Sequence, residues 1–348
     1  MKSVLLEMER LKNPNSGLGQ FCLNIGRQFQ AMNPSGVQLD FYVPEVQKNI
    51  FGEQFSYVNH RARYKFFPMN GGQYNIWHCL HQDSNYLPTN KKTKLILTIH
   101  DLNFLEKYNN LAQKSKLKRL QQRVNKAAAI TVVSKFTEQI VRENIKLNNA
   151  PVYLISNGNS LKVIENSVKP GFINFEKYFF SIGIISAKKN FHVLLPLLQY
   201  FKDYHLVIAG NNTSLYAKQI KSMAEKANVL NRLHLIGIVN EGEKYWLYKN
   251  CNAFVFPSLH EGFGLPVAEA MSLGKPAFLS NKTSLPEIGG KEAFYWENFD
   301  SSHMIDIVEK GFNSFDNDPM KSKRSIDWAK KFSWEKTAEE YLKLYKDI

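Results

Sequence analysis

The stretch His260–Gly290 has the sequence HEGFGLPVAEAMSLGKPAFLSNKTSLPEIGG, and its residue pattern indicates how it folds. The apolar run AFVFPS at positions 253–258 precedes it and predicts a buried strand. Pro266 suits the first turn of a helix, whereas Gly274 followed by Pro276 predicts the end of that helix. The pattern therefore predicts a strand, a glycine-rich loop, a short helix and a further strand.

Two carboxylates, Glu261 and Glu269, frame this loop with seven residues between them. Glu261 falls in the loop, and Glu269 falls about one turn into the helix. The unpaired N–H groups of a first helical turn, together with the helix dipole, favour an anion such as phosphate. Carboxylates accept hydrogen bonds from sugar hydroxyls. The pattern fits a sugar-nucleotide site, although an ordinary loop with two exposed acids would carry the same residues.

The segment EGFGLPVAEAMSLGKP, residues 261–276, resembles the E-x7-E signature of retaining glycosyltransferases with the GT-B fold, specifically family 4. This family is also described as glycosyl transferases group 1, and the resemblance is to its bacterial cell-surface polysaccharide and lipopolysaccharide type. In the family, the first glutamate faces the donor sugar and the second binds the ribose of the nucleotide. The resemblance therefore implies a catalytic role for Glu261 and ribose binding by Glu269. It also implies donor contacts along the intervening loop, by Gly262, Phe263, Gly264 and Leu265.

Length and composition bound the class of protein. A chain of 348 residues is long for one domain, which favours two. Its three cysteines form no CxxC pair, as is typical of a reduced compartment. The N-terminal apolar run is too short for a signal peptide, and no apolar run approaches the roughly 20 residues of a membrane-spanning helix. These features predict a cytoplasmic protein, either free or peripheral on the inner face of the plasma membrane.

Positive charge is concentrated in the first half of the chain. Residues 1–168 carry 22 Lys and Arg against 11 Asp and Glu, a net +11, whereas residues 169–348 carry 23 against 20, a net +3. A basic half favours an anionic acceptor or an anionic membrane surface. Nucleic acid is not predicted as a partner, because the sequence contains no recognised nucleic-acid-binding motif.

Two segments of this half combine basic and apolar residues. In Tyr57–Phe67, YVNHRARYKFF, three cations alternate with aromatic residues. This pattern predicts either an edge strand with a solvated basic face or a lip that meets phospholipid or an anionic acceptor. Residues 111–127 predict an amphipathic basic helix, whose charged face either is solvated or contacts an anionic membrane.

A glycine-containing turn, Ser16–Gly19, follows the first predicted strand, Ser3–Met8. It is not a dinucleotide-binding fingerprint, because Cys22 stands where a third glycine would be. In family 4, a glycine loop at this point lies against the donor diphosphate. The resemblance therefore implies donor contacts by Gly17 and Gly19, and a plain tight turn is the alternative.

The run WHCLHQD brings His78, Cys79 and His81 together. A metal site would need further ligands at suitable spacing, and strand alternation directs His78 and Cys79 to opposite faces. No metal site is therefore predicted there. In the family this region lies near the acceptor cleft, which implies acceptor contacts by His81 and Gln82.

The predicted strand Lys94–Thr98 ends at the sequence IHDL, residues 99–102. Parallel sheets bind ligands at the carboxyl ends of their strands. This segment resembles the family segment whose histidine points into the cleft beside the donor sugar, which implies a catalytic role for His100. A neutral imidazole there could donate to a sugar hydroxyl or hold the acceptor. The alternative is a hydrogen bond to Asp101 that only holds the loop.

Strand–helix alternation restarts after a predicted linker at Asn166–Asn174, and the sequence KKN follows the next strand. Family members commonly have Arg-Lys-Asn here, with both cations on the donor phosphates, so the resemblance implies donor binding by Lys188 and Lys189. A lysine in place of arginine loses the bidentate fork but keeps the charge. Cations that stabilise a departing diphosphate act directly on the transition state. Gly210, at the ligand end of the following strand, is a further predicted donor contact.

These elements predict an α/β protein of the GT-B fold, in which two Rossmann-like domains face each other across a cleft. The predicted domains are 1–168, which binds the acceptor, and 169–330, which binds the nucleotide sugar. Residues 331–348 are predicted to form a C-terminal helix that crosses back to the first domain.

The predicted function is retaining transfer of a hexose from a nucleotide-diphosphate sugar to a glycan or lipid-linked acceptor in bacterial lipopolysaccharide or polysaccharide synthesis. The predicted donor is of the GDP-mannose or UDP-glucose type, and the KKN sequence slightly favours mannose. No cofactor and no metal are predicted, because the sequence has no Asp-x-Asp motif and lysines supply charge for the phosphates. The alternatives are a nucleotide-sugar epimerase or phosphorylase on the same fold, and a non-catalytic binding protein.

Overall fold

The computed structural model of the protein describes residues 1–107 and 110–348, without the side chain of residue 107. These residues form two compact units, of which the first is discontinuous in sequence and combines residues 1–160 with 332–348. The second unit comprises residues 161–331. Each unit is built on its own parallel sheet and has its own apolar core.

The first unit contains a seven-stranded sheet with the order β3-β2-β1-β4-β5-β6-β7. Its strands are β1 Lys2–Glu7, β2 Val37–Val43, β3 Ser56–Asn59, β4 Ile76–Cys79, β5 Lys94–Ile99, β6 Ala127–Val132 and β7 Val152–Leu154. The central strands are largely apolar and buried, as a parallel sheet covered on both faces requires. Because β1 pairs with β4, with Glu7 beside Cys79, the segments that follow these two strands leave the sheet side by side.

The helices before the chain leaves this unit are α1 Gly17–Met32, α2 Phe104–Lys107, α3 Asn110–Val124 and α4 Lys135–Asn144. Serine side chains cap two of them: Ser16 accepts from an amide of α1 and Ser134 from an amide of α4. The predicted basic helix at 111–127 is present, but it ends at Val124 because the chain enters β6 at Ala127.

The basic aromatic segment is an edge strand only in part. β3 ends at Asn59, and the backbone then turns into a 3-10 helix at Ala62–Lys65, where hydrogen bonds within the turn replace those of the sheet. The strand expected over Tyr57–Phe67 is therefore limited to its beginning. Phe66 and Phe67, which follow the turn, are 80% and 76% exposed.

The second unit has a six-stranded sheet with the order β10-β9-β8-β11-β12-β13. Its strands are β8 Tyr178–Ile182, β9 His205–Ala209, β10 Leu233–Gly237, β11 Ala253–Phe256, β12 Ala277–Ser280 and β13 Phe294–Trp296. Its helices are α5 Leu195–Tyr200, α6 Leu215–Lys226, α7 Glu241–Asn250, α8 Leu265–Ser272, α9 Leu285–Gly289, α10 Ser301–Asn317 and α11 Lys321–Ala329. The predicted strand, glycine loop, helix and strand are confirmed as β11, α8 and β12 with their connecting segments.

The last helix, α12 Trp334–Asp347, belongs to the first unit, although it follows the second in sequence. Ser333 caps its start, and its apolar side packs beside α1 and the sheet. Tyr345 contacts the Nδ1 atom of His78 on β4 at 2.7 Å. The predicted return of the C-terminal helix is therefore confirmed.

None of the helices in the described part of the chain has the length and hydrophobicity that a membrane-spanning segment needs.

Candidate active site

The loop between β11 and α8 lies at the carboxyl edge of the second sheet. Gly264 is the N-cap of α8 with φ +113°, a backbone conformation that favours glycine, and a Cβ atom there would lie 2.9 Å from Leu285 Cδ2. Pro266 occupies the first turn of α8, as predicted. This turn places Glu261 before the helix and Glu269 within it.

Glu261 is held from several sides. Its Oε1 atom accepts hydrogen bonds from Lys189 Nζ and Ser258 Oγ. Its backbone N–H donates to Thr283 Oγ1 at 3.0 Å, and its carbonyl accepts from Ser284 Oγ at 3.0 Å. Burial alone would raise the pKa of Glu261, but the two neighbouring lysines outweigh burial and hold this pKa below its usual value. Glu261 is therefore a fixed, ionised carboxylate.

Lys189 stands on a 3-10 turn, Ala187–Lys189, that follows β8. It is 8% exposed, and its Nζ atom lies 4.6 Å from the centre of the Phe256 ring. Burial lowers the pKa of Lys189, and Glu261 opposes this shift. Lys188 is exposed, and its carbonyl accepts the amide of Leu259 at 2.8 Å, which ties the lysine turn to the loop of Glu261.

Glu269 is bound by two residues of α7 that the sequence did not suggest. Lys244 Nζ lies 2.7 Å from Oε1, and Tyr248 Oη lies 2.8 Å from Oε2. Burial by itself lowers the pKa of Lys244, but Glu269 and Glu241 outweigh burial and raise it. The spacing of four between Lys244 and Tyr248 places them on one helix face, and this is the signal that could have paired them. Periodicity alone does not say which element that face contacts.

Gly210 follows β9 at the same edge of the sheet. Its φ is +135°, and a Cβ atom there would lie 2.0 Å from the carbonyl oxygen of Gly183. This close backbone approach by itself requires glycine at position 210. The predicted donor contact of Gly210 is therefore not needed to explain the residue, and it stays a prediction.

In the first unit, His100 directly follows β5 and is buried. Its Nε2 atom lies 2.8 Å from the carbonyl oxygen of Leu80, and its ring meets Phe21 edge-on at 4.7 Å. A carbonyl oxygen only accepts hydrogen bonds, so Nε2 carries the proton. Burial lowers the pKa of His100 to about 4, so the ring is neutral at pH 7 and its Nδ1 atom is an acceptor. Of the two chemical roles expected for this ring, the geometry favours accepting from a hydroxyl over donating to one.

The two predicted acceptor residues lie next to His100. Gln82 accepts the backbone N–H of His100 at 3.1 Å and donates to the carbonyl of Asp101 at 2.9 Å, so its side chain clamps the end of β5. His81 is 1% exposed, and its Nε2 atom faces Glu7 Oε2 at 3.5 Å. Both residues stay predictions as acceptor contacts.

Glu7, Glu9 and His81 bring three possible metal-ligand atoms within 4.8 Å of one another. The sequence did not predict this cluster, although a Rossmann-type strand order that places β1 beside β4 would have suggested it. Arg10 Nη2 lies 3.4 Å from His81 Nδ1, and Lys12 pairs with Glu9. Glu9 thus already pairs with Lys12 and lies 3.9 Å from Arg10 Nε, whereas Glu7 faces the ring nitrogen of His81, so the arrangement is a buried network of charged and polar groups. Burial raises the pKa of Glu7 to about 7.

The two predicted donor glycines of the first unit open α1. The amide of Gly19 donates to Ser16 Oγ at 3.1 Å, and a Cβ atom at position 19 would lie 2.1 Å from the carbonyl oxygen of Asn13. A Cβ atom at Gly17 would meet nothing within 4 Å. The first glycine therefore has open space beside it, whereas the second is explained by packing.

Solved structures share this fold over the whole chain. Anabaena HepE, solved in complex with UDP and glucose, superposes with a TM-score of 0.79 at 14% identity, with 100% of both chains covered. Two parallel sheets of seven and six strands with flanking helices, matched in this way, define the GT-B fold of glycosyltransferases.

Family models match both halves of the chain. The model described as Glycosyltransferase Family 4 matches residues 15–162, and the model described as Glycosyl transferases group 1 matches residues 163–326. The chain therefore belongs to this family of glycosyltransferases.

Curated relatives include mannosyltransferases of Escherichia coli. The serotype-specific mannosyltransferase WbdA is 30% identical in an alignment of 254 positions that covers 68% of this chain and 30% of the relative. The O-antigen chain mannosyltransferase B is 23% identical in an alignment of 386 positions that covers 99% of each chain. The chain thus spans less than a third of the length of WbdA but nearly all of the second relative.

Proposed function

We propose that the protein is a retaining hexosyltransferase that uses a nucleotide-diphosphate sugar. One observation carries the proposal: Lys189 and the first signature carboxylate, Glu261, converge on the glycine loop that begins α8, with Glu269 on the same helix. A cation, a fixed carboxylate and a helix N-terminus together suit a sugar bonded to a diphosphate.

In this proposal Lys189 and Lys188 stabilise the leaving diphosphate. An ammonium has three N–H donors, so Lys189 can keep its bond to Glu261 and still donate to a phosphate oxygen. Charge that develops on the leaving group is stabilised by a cation already in place, which lowers the transition-state energy. Glu261, Gly262, Phe263, Gly264 and Leu265 hold the sugar, and Glu269 holds the ribose.

Retention follows without a protein nucleophile. Oε1 of Glu261 already bonds a lysine and a serine, which makes this carboxylate a holder of the sugar rather than an attacking group. The acceptor hydroxyl attacks the anomeric carbon on the face from which the diphosphate leaves, and its proton passes to a departing phosphate oxygen. One C–O bond breaks and one forms on the same face, so the anomeric configuration is kept.

His100 is proposed to accept a hydrogen bond from a hydroxyl of the donor sugar or the acceptor through Nδ1. This role is supported by the hydrogen bond that the Nε2–H group of His100 donates to the Leu80 carbonyl, because it leaves Nδ1 as an acceptor. Gln82 fixes the backbone of His100, and both Gln82 and His81 are proposed to contact the acceptor.

The donor is proposed to be of the GDP-mannose or UDP-glucose type, with GDP-mannose and transfer of mannose favoured, and the acceptor a glycan or lipid-linked glycan of bacterial lipopolysaccharide or polysaccharide. The relatives named as mannosyltransferases, one of them of the O-antigen chain, support this choice. No metal or cofactor enters the proposed reaction, because the lysines supply the charge for the diphosphate.

We also propose that the protein works in the cytoplasm, peripherally on the inner face of the plasma membrane. Phe66 and Phe67 are exposed beside Arg61, Arg63 and Lys65, and such a combination suits the surface of anionic lipid.

The test uses the whole chain with GDP-mannose and with UDP-glucose, and follows release of the nucleoside diphosphate. Lys189→Ala, Glu261→Ala and Glu269→Ala should each lower turnover at least about 100-fold, the scale of one lost electrostatic contact in the transition state. Lys249→Met, an exposed lysine on α7, is the matched control, and melting temperatures report folding. Wild-type rates in all three variants would overturn the assignment.

The anomeric configuration of the product, determined by NMR, should equal that of the donor, and inversion would refute the retaining mechanism.

A further inference from the structure

Helix α7 supplies both hydrogen-bond partners of the Glu269 carboxylate. Lys244 Nζ donates to Oε1 at 2.7 Å, and Tyr248 Oη donates to Oε2 at 2.8 Å. Within the part of the chain that the structure describes, these are the side chains hydrogen-bonded to this carboxylate. Each carboxylate oxygen has about two lone-pair directions, so each keeps one for a ligand.

The two partners differ in what else they can reach. Tyr248 is fully buried, with its ring edge-on to Phe180 at 4.9 Å and its Oη atom also 3.3 Å from the carbonyl oxygen of Pro266, so its hydroxyl is enclosed by protein groups. The side chain of Lys244 is 11% exposed and that of Glu269 4%. Lys244 is therefore the more accessible member of the pair, and its ammonium lies directly beside the carboxylate.

A donor beside an acceptor matches the chemistry of a vicinal diol. A ribose hydroxyl that donates its proton to Glu269 still has an oxygen that accepts. Lys244 uses one of its three N–H groups on Glu269 and can give another to that oxygen. A 2′-deoxyribose has a single hydroxyl at this edge, so one half of the pair would lose its partner.

We propose that Lys244 reads the ribose of the donor together with Glu269, and that the pair selects ribonucleoside-diphosphate sugars over thymidine-diphosphate sugars, whose nucleotide contains 2′-deoxyribose. The inference rests on the proposed function, which assigns the ribose to Glu269. A site built to bond a hydroxyl discriminates strongly against the analogue that lacks it, because a buried polar group is left unpaired.

The experiment compares GDP with 2′-deoxy-GDP and UDP with 2′-deoxy-UDP, pairs that differ only at the 2′ position. Calorimetric titration of the whole chain should show that the wild type prefers the ribonucleotide of whichever base binds by at least about tenfold, the scale of one hydrogen bond to a charged group. Lys244→Met should reduce this preference to within about threefold. Lys244→Arg, which still donates, should keep part of the preference.

Two control variants distinguish direct contact of Lys244 with the ribose from an effect of Lys244 on the orientation of Glu269. Tyr248→Phe removes the buried partner of the carboxylate and should leave most of the 2′ preference, because Tyr248 does not reach the ligand. Lys249→Met should leave the preference unchanged. An equal loss of preference in Lys244→Met and Tyr248→Phe would overturn the inference, because Lys244 would then act only by orienting Glu269.

Two further outcomes distinguish failure of the inference from failure of the proposed function. A wild type that binds GDP or UDP but does not distinguish the 2′-deoxy forms would overturn the inference and leave the proposed function standing. A wild type that binds none of the four nucleotides at millimolar concentration would overturn the proposed function and the inference with it.

Discussion

Each of the two signature carboxylates is held by a lysine from another element: Glu261 by Lys189 of the turn after β8, and Glu269 by Lys244 of α7. A buried carboxylate is costly to desolvate unless a cation and hydrogen bonds accompany it. The lysines therefore hold both acids in place before any substrate arrives, and at Glu261 they also keep the pKa below its usual value. Such a preformed arrangement needs little reorganisation during the reaction, which is how electrostatic catalysis gains most.

The burial of the Glu7 carboxyl is only partly compensated by its hydrogen bonds and neighbouring charges. Because its pKa is raised to about 7 in the folded chain, the protonated form contributes stability that is fully present below the usual value of 4.5 and is lost as pH rises through 7.

Glu7→Gln should remove this pH dependence while keeping a neutral side chain of similar shape. We expect the free energy of unfolding of the wild type, relative to Glu7→Gln, to fall by up to about 3 kcal/mol between pH 4.5 and pH 8. Urea denaturation across this range measures the difference. The exposed Glu45→Gln should show no such trend, and parallel curves for wild type and Glu7→Gln would contradict the prediction.

At the scale of elements, the connection from β11 to α8 positions the site. Gly264 turns the chain with a positive φ. Ser284, which directly precedes α9, donates a hydrogen bond of 2.7 Å to the carbonyl of Phe263. Loop and helix are thus fixed as one piece, and a change at the turn moves Glu261 and Glu269 together.

Gly264→Ala should destabilise the protein by about 1–3 kcal/mol, because alanine is strained at this φ and its methyl group would press on Leu285. Turnover should fall as well, because both carboxylates shift. Thermal unfolding and nucleoside-diphosphate release measure the two effects.

Gly17→Ala is the matched control for stability. Gly17 likewise lies at the start of a helix, but an added methyl group there has open space, so the melting temperature should stay the same or rise slightly. A Gly264→Ala protein as stable as Gly17→Ala would show that the turn tolerates a side chain. A raised KM for the donor in Gly17→Ala at unchanged stability would support the diphosphate contact of Gly17.

The elements of the site followed from sequence better than its contacts did. Pro266, Gly274 and the apolar run before His260 carry local signals, so strand, loop and helix could be predicted from the residues. The pairs Lys189–Glu261 and Lys244–Glu269 join positions far apart in the chain, and periodicity contains no information on which faces meet. The resemblance supplied a role for Lys189, whereas nothing local pointed to Lys244.

At the scale of the whole molecule, the charge asymmetry is the dominant feature. Residues 1–168 carry a net +11 against +3 for the rest, and the exposed pair Phe66 and Phe67 lies in the basic half. Basic residues are attracted to an anionic membrane at long range, and salt screens this attraction. Aromatic side chains contribute only when they insert at the lipid surface.

Phe66→Ser combined with Phe67→Ser should weaken binding to anionic phospholipid vesicles severalfold, because two exposed rings no longer insert at the lipid surface. Co-sedimentation with vesicles of increasing anionic lipid content measures binding, which should also fall with salt. Met320→Ser, an exposed apolar residue of the second unit, is the control. Binding that does not depend on anionic lipid would count against the membrane proposal.

The discontinuity of the first unit has a consequence for synthesis. Residues 1–160 emerge from the ribosome first. The hydrogen-bond partners of His78, Thr98 and Thr131 are tyrosines of α12, which are made after the whole of the second unit. At usual elongation rates this delay is on the order of ten to thirty seconds. During that time the second unit is still being translated, and the residues of the first unit that α12 will contact lack their partners. The unit that is translated first is therefore completed only by the residues that are translated last.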